Sequence, residues 1–202
     1  MDSDLHDAVA ALKTTFERRS IRCEFGKAPA EVLDQPRKLF KLPARYRAFL
    51  LESNPIRVET ATPVERIRLL PAEELLREQV GFALHDDLTL IEANKDGGWR
   101  RTWVVIGQSA LLGDPYFLDV AKLDAEGDCP VYTAMSGTDR WEPNLAASSF
   151  VQFLQILAAA MEVAEGFGQA EIGVDDEDVF REALAPKIRP IDLAALRAGH
   201  WT

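Results

Sequence analysis

Leu5, Val9, Leu12 and Phe16 recur at three- or four-residue intervals, so residues 3–19 are predicted to form an amphipathic helix. Ser20 to Phe25 reads as a short strand or an extended link. A helical pattern returns from Ala30 to Ser53, interrupted at Pro36 and Pro43. Pro43 suits a first helical turn and sets Tyr46, Phe49 and Leu50 on one face. Asn54-Pro55 ends that helix, because a residue preceding proline avoids the helical region.

The alternation of Arg66-Ile67-Arg68-Leu69 predicts a strand, and Pro71 opens a predicted helix carrying Leu75, Leu76 and Val80. Leu88–Ile91, Trp103–Ile106, Tyr116–Val120 and Val131–Thr133 follow as candidate strands. Asp96-Gly97-Gly98, Gly113-Asp114-Pro115 and Glu126-Gly127-Asp128 separate them with turn chemistry. Such short connections cannot hold crossover helices, so the sheet is expected to be mostly antiparallel. Ser148 and Ser149 offer a cap to a helix whose stripe runs through Phe150, Phe153, Leu154, Leu157, Met161 and Ala164 to a stop at Gly166-Phe167-Gly168. Two short helices end the chain, one through Val179, Phe180 and Leu184, the other from Pro190 through Leu196. The order predicts an α+β domain, a mostly antiparallel twisted sheet of about 4–6 strands packed with flanking helices.

At 202 residues, with 47% apolar and 28% charged side chains, the chain has the profile of one soluble globular domain. Its net charge of −10 is unevenly placed. Residues 1–101 hold 17 basic and 17 acidic side chains, whereas residues 102–202 hold 6 and 16. That distribution argues against nucleic acid, whose phosphates require a basic face, and is compatible with a basic protein partner. Arg37, Lys38, Lys41, Arg45 and Arg47 form the one basic cluster, scattered by helical spacing around a solvated face. Met1 to Asp7 lacks the basic and apolar regions of a secretory signal, and the longest apolar run, Ile156–Met161, is short of a membrane span, so a cytoplasmic protein is expected. Cys23 and Cys129 are read as reduced thiols.

No familiar catalytic constellation emerges, and neither a cofactor nor a metal is expected. His6, His85 and His200 are dispersed, and His85-Asp86-Asp87 suits a solvated turn better than a metal site. Gly107-Gln108-Ser109-Ala110-Leu111 begins like a nucleophile elbow but lacks its final glycine. Asp124, Glu126 and Asp128 have the odd spacing of a calcium loop without its closing glutamate, so a hairpin turn is expected. Asp175-Asp176-Glu177-Asp178 suits an acidic first helical turn, with partner binding as the alternative. Trp99, Trp103 and Trp141 flank the β-rich region. Trp103 is assigned to the core; Trp99 and Trp141, near strand edges, are candidates for either core packing or a surface contact.

Leu42-Pro43-Ala44-Arg45-Tyr46-Arg47-Ala48-Phe49-Leu50 resembles the opening signature of the SUKH superfamily, which includes fungal cell-wall assembly regulators and bacterial immunity proteins. Trp103-Val104-Val105-Ile106-Gly107 and Gly113-Asp114-Pro115-Tyr116-Phe117-Leu118-Asp119 resemble its central strand pair. Pro130-Val131-Tyr132 resembles the next strand, and Trp141-Glu142-Pro143 with Ala147-Ser148-Ser149-Phe150 its closing loop and helix. The resemblance spans about residues 30–165, leaving residues 166–202 as a helical extension of the single domain. Two departures stand out: Met135-Ser136-Gly137 replaces a histidine frequent after the third strand, and Asn54-Pro55 replaces Asn-Gly.

The resemblance implies a non-catalytic protein-binding module, an immunity protein that docks on a basic toxin domain such as a nuclease. An intracellular regulatory scaffold is the alternative, and a metal-dependent hydrolase using His85 a remoter one. The expected partner-binding residues are Trp99, Asp114, Asp119, Trp141, Asp175, Asp176 and Asp178.

Overall fold

A computed structural model describes residues 2–92, 97–137, 140–167 and 174–202, without the side chains of Val174 and Asp175. Helix α1 (Ser3–Arg18) is capped by Asp2, whose carboxylate accepts from the Leu5 amide, and buries the predicted stripe of Leu5, Val9, Leu12 and Phe16. Strand β1 (Glu24–Gly26), a 3-10 turn (Ala30–Leu33) and α2 (Asp34–Leu39) follow. Pro36 lies within the first turn of α2, where its missing amide costs nothing, so it does not interrupt the helix as expected. Pro43 precedes α3 (Ala44–Ser53), which buries Tyr46, Phe49 and Leu50. Strand β2 (Asn54–Arg57) returns antiparallel to β1.

The main sheet has five strands, β3 (Ile67–Leu69), β4 (Trp103–Ser109), β5 (Pro115–Asp119), β6 (Val131–Thr133) and β7 (Asn144–Ala147), in sequential order and antiparallel throughout. The α+β expectation holds. Strand β5 is buried along its whole length, and alternate residues serve two faces. Tyr116 faces Phe153 of α4 (Phe150–Val163), with ring centroids 5.5 Å apart. Phe117 turns the other way, to Trp103 at 4.7 Å and Trp99 at 4.8 Å. The span Phe150–Phe167 is apolar and long enough by composition to cross a membrane, which the short run Ile156–Met161 did not suggest. It is mostly buried, as the core helix beneath α1 and α5 (Val174–Ile188).

Two sequence expectations are corrected. The helix expected from Pro71 is a chain of turns ending in a 3-10 turn (Arg77–Gln79). This conformation delivers Gln79 to β4: its amide donates to the Val105 carbonyl and its carbonyl accepts from the Val105 amide, both at 2.9 Å. Strand β3 pairs only with Gly107–Ser109, so the Gln79 side chain supplies the partner that Val105 would lack. The strand expected at Leu88–Ile91 is a loop touching Leu84 by an isolated bridge, with Leu88 at φ 64°. Asp96, expected in a turn, and Gly168, expected in a helix stop, lie outside the described residues.

Residues 174–202 are helical, as expected, but join the core. Phe180, Leu184, Ile188, Ala195 and Trp201 are buried, and Trp201 Nε1 donates to the Ala146 carbonyl at 2.8 Å. Asp192 caps α6 (Leu193–Ala198) and accepts from the Ser148 amide and hydroxyl, tying the tail to the end of β7.

Candidate functional site

The turn that joins β5 to β6 gives the family-like signature of α3 a structural task. Gly127, at φ 79°, has no room for a Cβ, which would stand 2.7 Å from the Ala44 Cβ. The contact brings Arg45 beside three carboxylates: Asp2 at 2.9 Å, Glu126 at 2.8 Å and the buried Asp128 at 3.5 Å. Asp128 in turn accepts from the amides of Phe150 at 2.8 Å and Val151 at 3.2 Å, donors left open by the start of α4. Burial raises the Asp128 carboxyl, opposed by these amides and by Arg45. Of the odd-spaced acidic residues, Asp128 therefore caps α4, Asp124 accepts from the Glu126 and Asp128 amides within the turn, and Glu126 pairs with Arg45.

A cleft of about 710 Å³ opens at the opposite end of β4 and β5. Its floor is polar. The Tyr116 hydroxyl donates to Glu65 at 2.5 Å, and His200 Nε2 lies 2.8 Å from the same oxygen. Burial raises the Glu65 carboxyl, and its hydrogen bond from Tyr116 moderates the rise. Burial and the nearby Glu65 charge hold the Tyr116 phenol well above its ordinary value. Burial and the Arg181 charge push His200 down to about 4. The phenol and imidazole are thus neutral near pH 7. Because the one phenolic hydrogen goes to Glu65, His200 donates to Tyr116 from Nε2.

One wall comes from the tail. Arg181 donates to Glu177 at 2.8 and 2.9 Å and to the His200 carbonyl at 2.9 Å, anchoring residue 200 against the floor. The other wall joins the β4–β5 hairpin tip to the loop after β6: the Ser136 amide donates to Asp114 at 2.6 Å and its hydroxyl to the Gly113 carbonyl at 3.2 Å. Leu111, Leu112 and Met135 form an exposed apolar rim, and Glu142 adds a carboxylate.

The sequence-predicted residues are distributed unequally around this cleft. Asp114 lines it. Trp141 is half-buried in an aromatic cluster with Trp99 at 5.2 Å and Phe82 at 5.5 Å. Trp99, expected either in the core or at a contact surface, takes the core alternative: it is 9% exposed, and its indole donates to the Trp103 carbonyl at 3.2 Å. Asp119, expected at the contact surface, is instead buried, accepts from Thr102 at 3.1 Å and caps the following 3-10 turn. Asp176 and Asp178 lie in the first turns of α5, Asp178 exposed, and neither lines the cleft; the Asp175 side chain lies outside the described residues. Sequence reasoning missed Glu65, Glu142, Glu177, Arg181 and His200. It also passed over the adjacent leucines at 111 and 112, whose place in a hairpin tip was the available signal.

The Ser109 hydroxyl accepts from the Leu112 amide at 3.4 Å, while the His200 Nε2 goes to Tyr116, an arrangement unlike a serine–histidine pair. Among the described residues, no group of three or more His, Cys, Asp or Glu side chains is placed to hold a metal ion. Asp87, beside His85, instead accepts from the Thr89 amide and hydroxyl. Cys23 and Cys129 are both free thiols.

No curated protein and no solved structure matches the chain. The SMI1 / KNR4 family (SUKH-1) matches residues 35–156, from α2 through the five-stranded sheet into α4. That match takes in Arg45, the Gly127 turn, the Tyr116 floor and the leucine tip, and leaves Glu177, Arg181 and His200 outside it. Covering more than half of the 202 residues, it establishes that the chain belongs to the SMI1/KNR4 (SUKH-1) family.

Proposed function

We propose that the chain is a non-catalytic protein-binding module acting in the cytoplasm as an immunity protein, docking on a basic toxin domain, with a nuclease as the class best suited to the charge. Family membership supports the binding-module reading. The observation that carries the partner's chemistry is the placement of the whole −10 charge in residues 102–202, which build most of the sheet and all of the tail. Such a field accelerates encounter with a basic surface and opposes nucleic acid.

The test is co-expression with the protein encoded by the neighbouring reading frame, scoring growth rescue and co-purification. Rescue with a stable complex is the expected result. Association should slow as salt is raised from low to physiological ionic strength, with dissociation changing little. A toxic neighbour that neither co-purifies nor is neutralised would refute the immunity reading, and a salt-independent association rate would refute its electrostatic part.

A further inference from the structure

The cleft at the tip of β4–β5 has the chemistry of a socket for one kind of side chain. Three of the large apolar residues left exposed, Leu111 at 57%, Leu112 at 74% and Met135 at 69%, stand together on its rim. The others described, Ile56, Leu88, Val179 and Leu193, belong to different elements and do not line it. Adjacent exposed leucines on a hairpin tip are costly to keep in water and mark a contact surface.

Below that rim the charge is acidic. Glu65, Asp114, Glu142 and Glu177 line the cleft against Arg140 and Arg181, a formal balance of −2. The pairing of Arg181 with Glu177 turns the tail's own cation toward its own carboxylate. The Asp114–Ser136 and Gly113–Ser136 hydrogen bonds join the two rim loops in the free protein, so less ordering has to accompany binding. A volume of about 710 Å³ accommodates a long side chain together with an apolar neighbour.

We propose that this cleft receives an arginine or lysine side chain carried on an apolar segment of a protein partner, the cation over Glu65, Asp114 and Glu142 and the apolar flanks on Leu111, Leu112 and Met135. The inference rests on the protein-binding reading and specifies its contact. It also gives the tail a function. Residues 177, 181 and 200, beyond the family match, complete the socket, so this chain reads a feature that a family core alone would not frame.

The probe is a short capped peptide alternating Leu and Arg, titrated into the isotopically labelled full chain and followed by amide chemical shifts. Two control peptides replace Arg by Glu or Leu by Ser. The Leu–Arg peptide should shift residues 110–114 and 134–137 saturably, and each control should bind roughly tenfold more weakly. Leu111→Ser with Leu112→Ser, and separately Glu142→Lys, should weaken the Leu–Arg peptide by a similar factor, whereas Leu88→Ser should not. Unchanged melting temperatures would show that these exposed substitutions leave the fold intact. Shifts centred elsewhere, no saturable shift, or equal binding of the Leu–Glu peptide would overturn the proposal. If the neighbouring-frame protein co-purifies equally with wild type and the double leucine variant, the cleft assignment falls and the binding-module reading stands. If the peptide seats in the cleft but that protein neither binds nor is neutralised, the immunity reading falls and the cleft assignment stands.

Discussion

The Tyr116 hydroxyl donates to Glu65 across 2.5 Å, beneath the cleft that Glu65 and His200 line. Tyr116 comes from the centre of the sheet and Glu65 from the turn before β3, which the Thr62 hydroxyl fixes by accepting from the Glu65 amide at 3.0 Å. One phenol thus anchors the cleft to the core.

Tyr116→Phe removes the donor while leaving the ring against Phe153. We expect a loss of about 1–3 kcal/mol, because Glu65 remains partly buried with one fewer partner. This corresponds to roughly 2–4 °C in melting temperature per kcal/mol. The Glu65 carboxyl should titrate higher than in wild type, since the lost hydrogen bond is one that lowers it. Carboxyl-carbon NMR against pH measures that directly; a Glu65 titration unchanged in Tyr116→Phe would contradict the assignment.

His200 is pushed from 6.5 down to about 4, so the unfolded chain binds its proton more readily than the folded one. The stability contributed by the neutral imidazole is present above about pH 6.5 and lost as pH falls toward 4, worth up to about 3 kcal/mol. Glu65 acts in the opposite sense, because its raised carboxyl takes up a proton earlier in the folded state. The difference between wild type and His200→Gln in denaturant melts at pH 7 and pH 4.5 isolates the histidine. Wild type should lose more stability than the variant over that interval.

Asp128 caps α4 from outside the helix and is fully buried. Asp128→Ala strands the Phe150 and Val151 amides and removes a partner of Arg45, with an expected cost of about 3 kcal/mol. Glu126→Ala breaks only an exposed contact to Arg45 and should cost under about 1 kcal/mol. Urea midpoints of the two variants test the contrast; equal midpoints would mean that the cap contributes nothing.

Trp201 is 7% exposed and donates to the carbonyl of Ala146 in β7. Trp201→Ala should cost about 3–5 kcal/mol through the cavity and the orphaned carbonyl. Hydrogen exchange should quicken in β7 as well as in the tail. Protection in β7 that matches wild type would make residues 174–202 an independent appendage.

The sequence patterns that were legible are those in which one residue's neighbours along the chain decide its environment. Val131–Thr133 forms a strand with its predicted ends, and α1 buries the predicted stripe, because period and burial agree there. Strand β7 was invisible: Asn144-Leu145-Ala146-Ala147 has little β character and is a strand because β6 pairs with it. The helix expected after Pro71 failed for the converse reason, since pairing the Val105 peptide group through Gln79 outweighs the local apolar spacing. Trp99 and Trp141 sit close in space, yet only the packing around each separates a buried indole from a half-exposed one.

By itself the sequence determined the α+β class, the antiparallel order of the central strands, the family-like signature and the acidic bias of residues 102–202. Each depends on periodicity, turn chemistry or composition, which are local or additive. Only the tertiary structure decided which charges meet. Glu65, Tyr116 and His200 lie up to 135 residues apart in the chain, and what brings them together is the burial of Trp201 and the α5 stripe, which packs the tail onto the sheet. Packing elsewhere in the fold turns Asp119 and Asp128 into buried caps and leaves Leu111 and Leu112 at an open rim. Net charge is a sum over residues. A binding site is an arrangement of them, and long-range packing sets that arrangement.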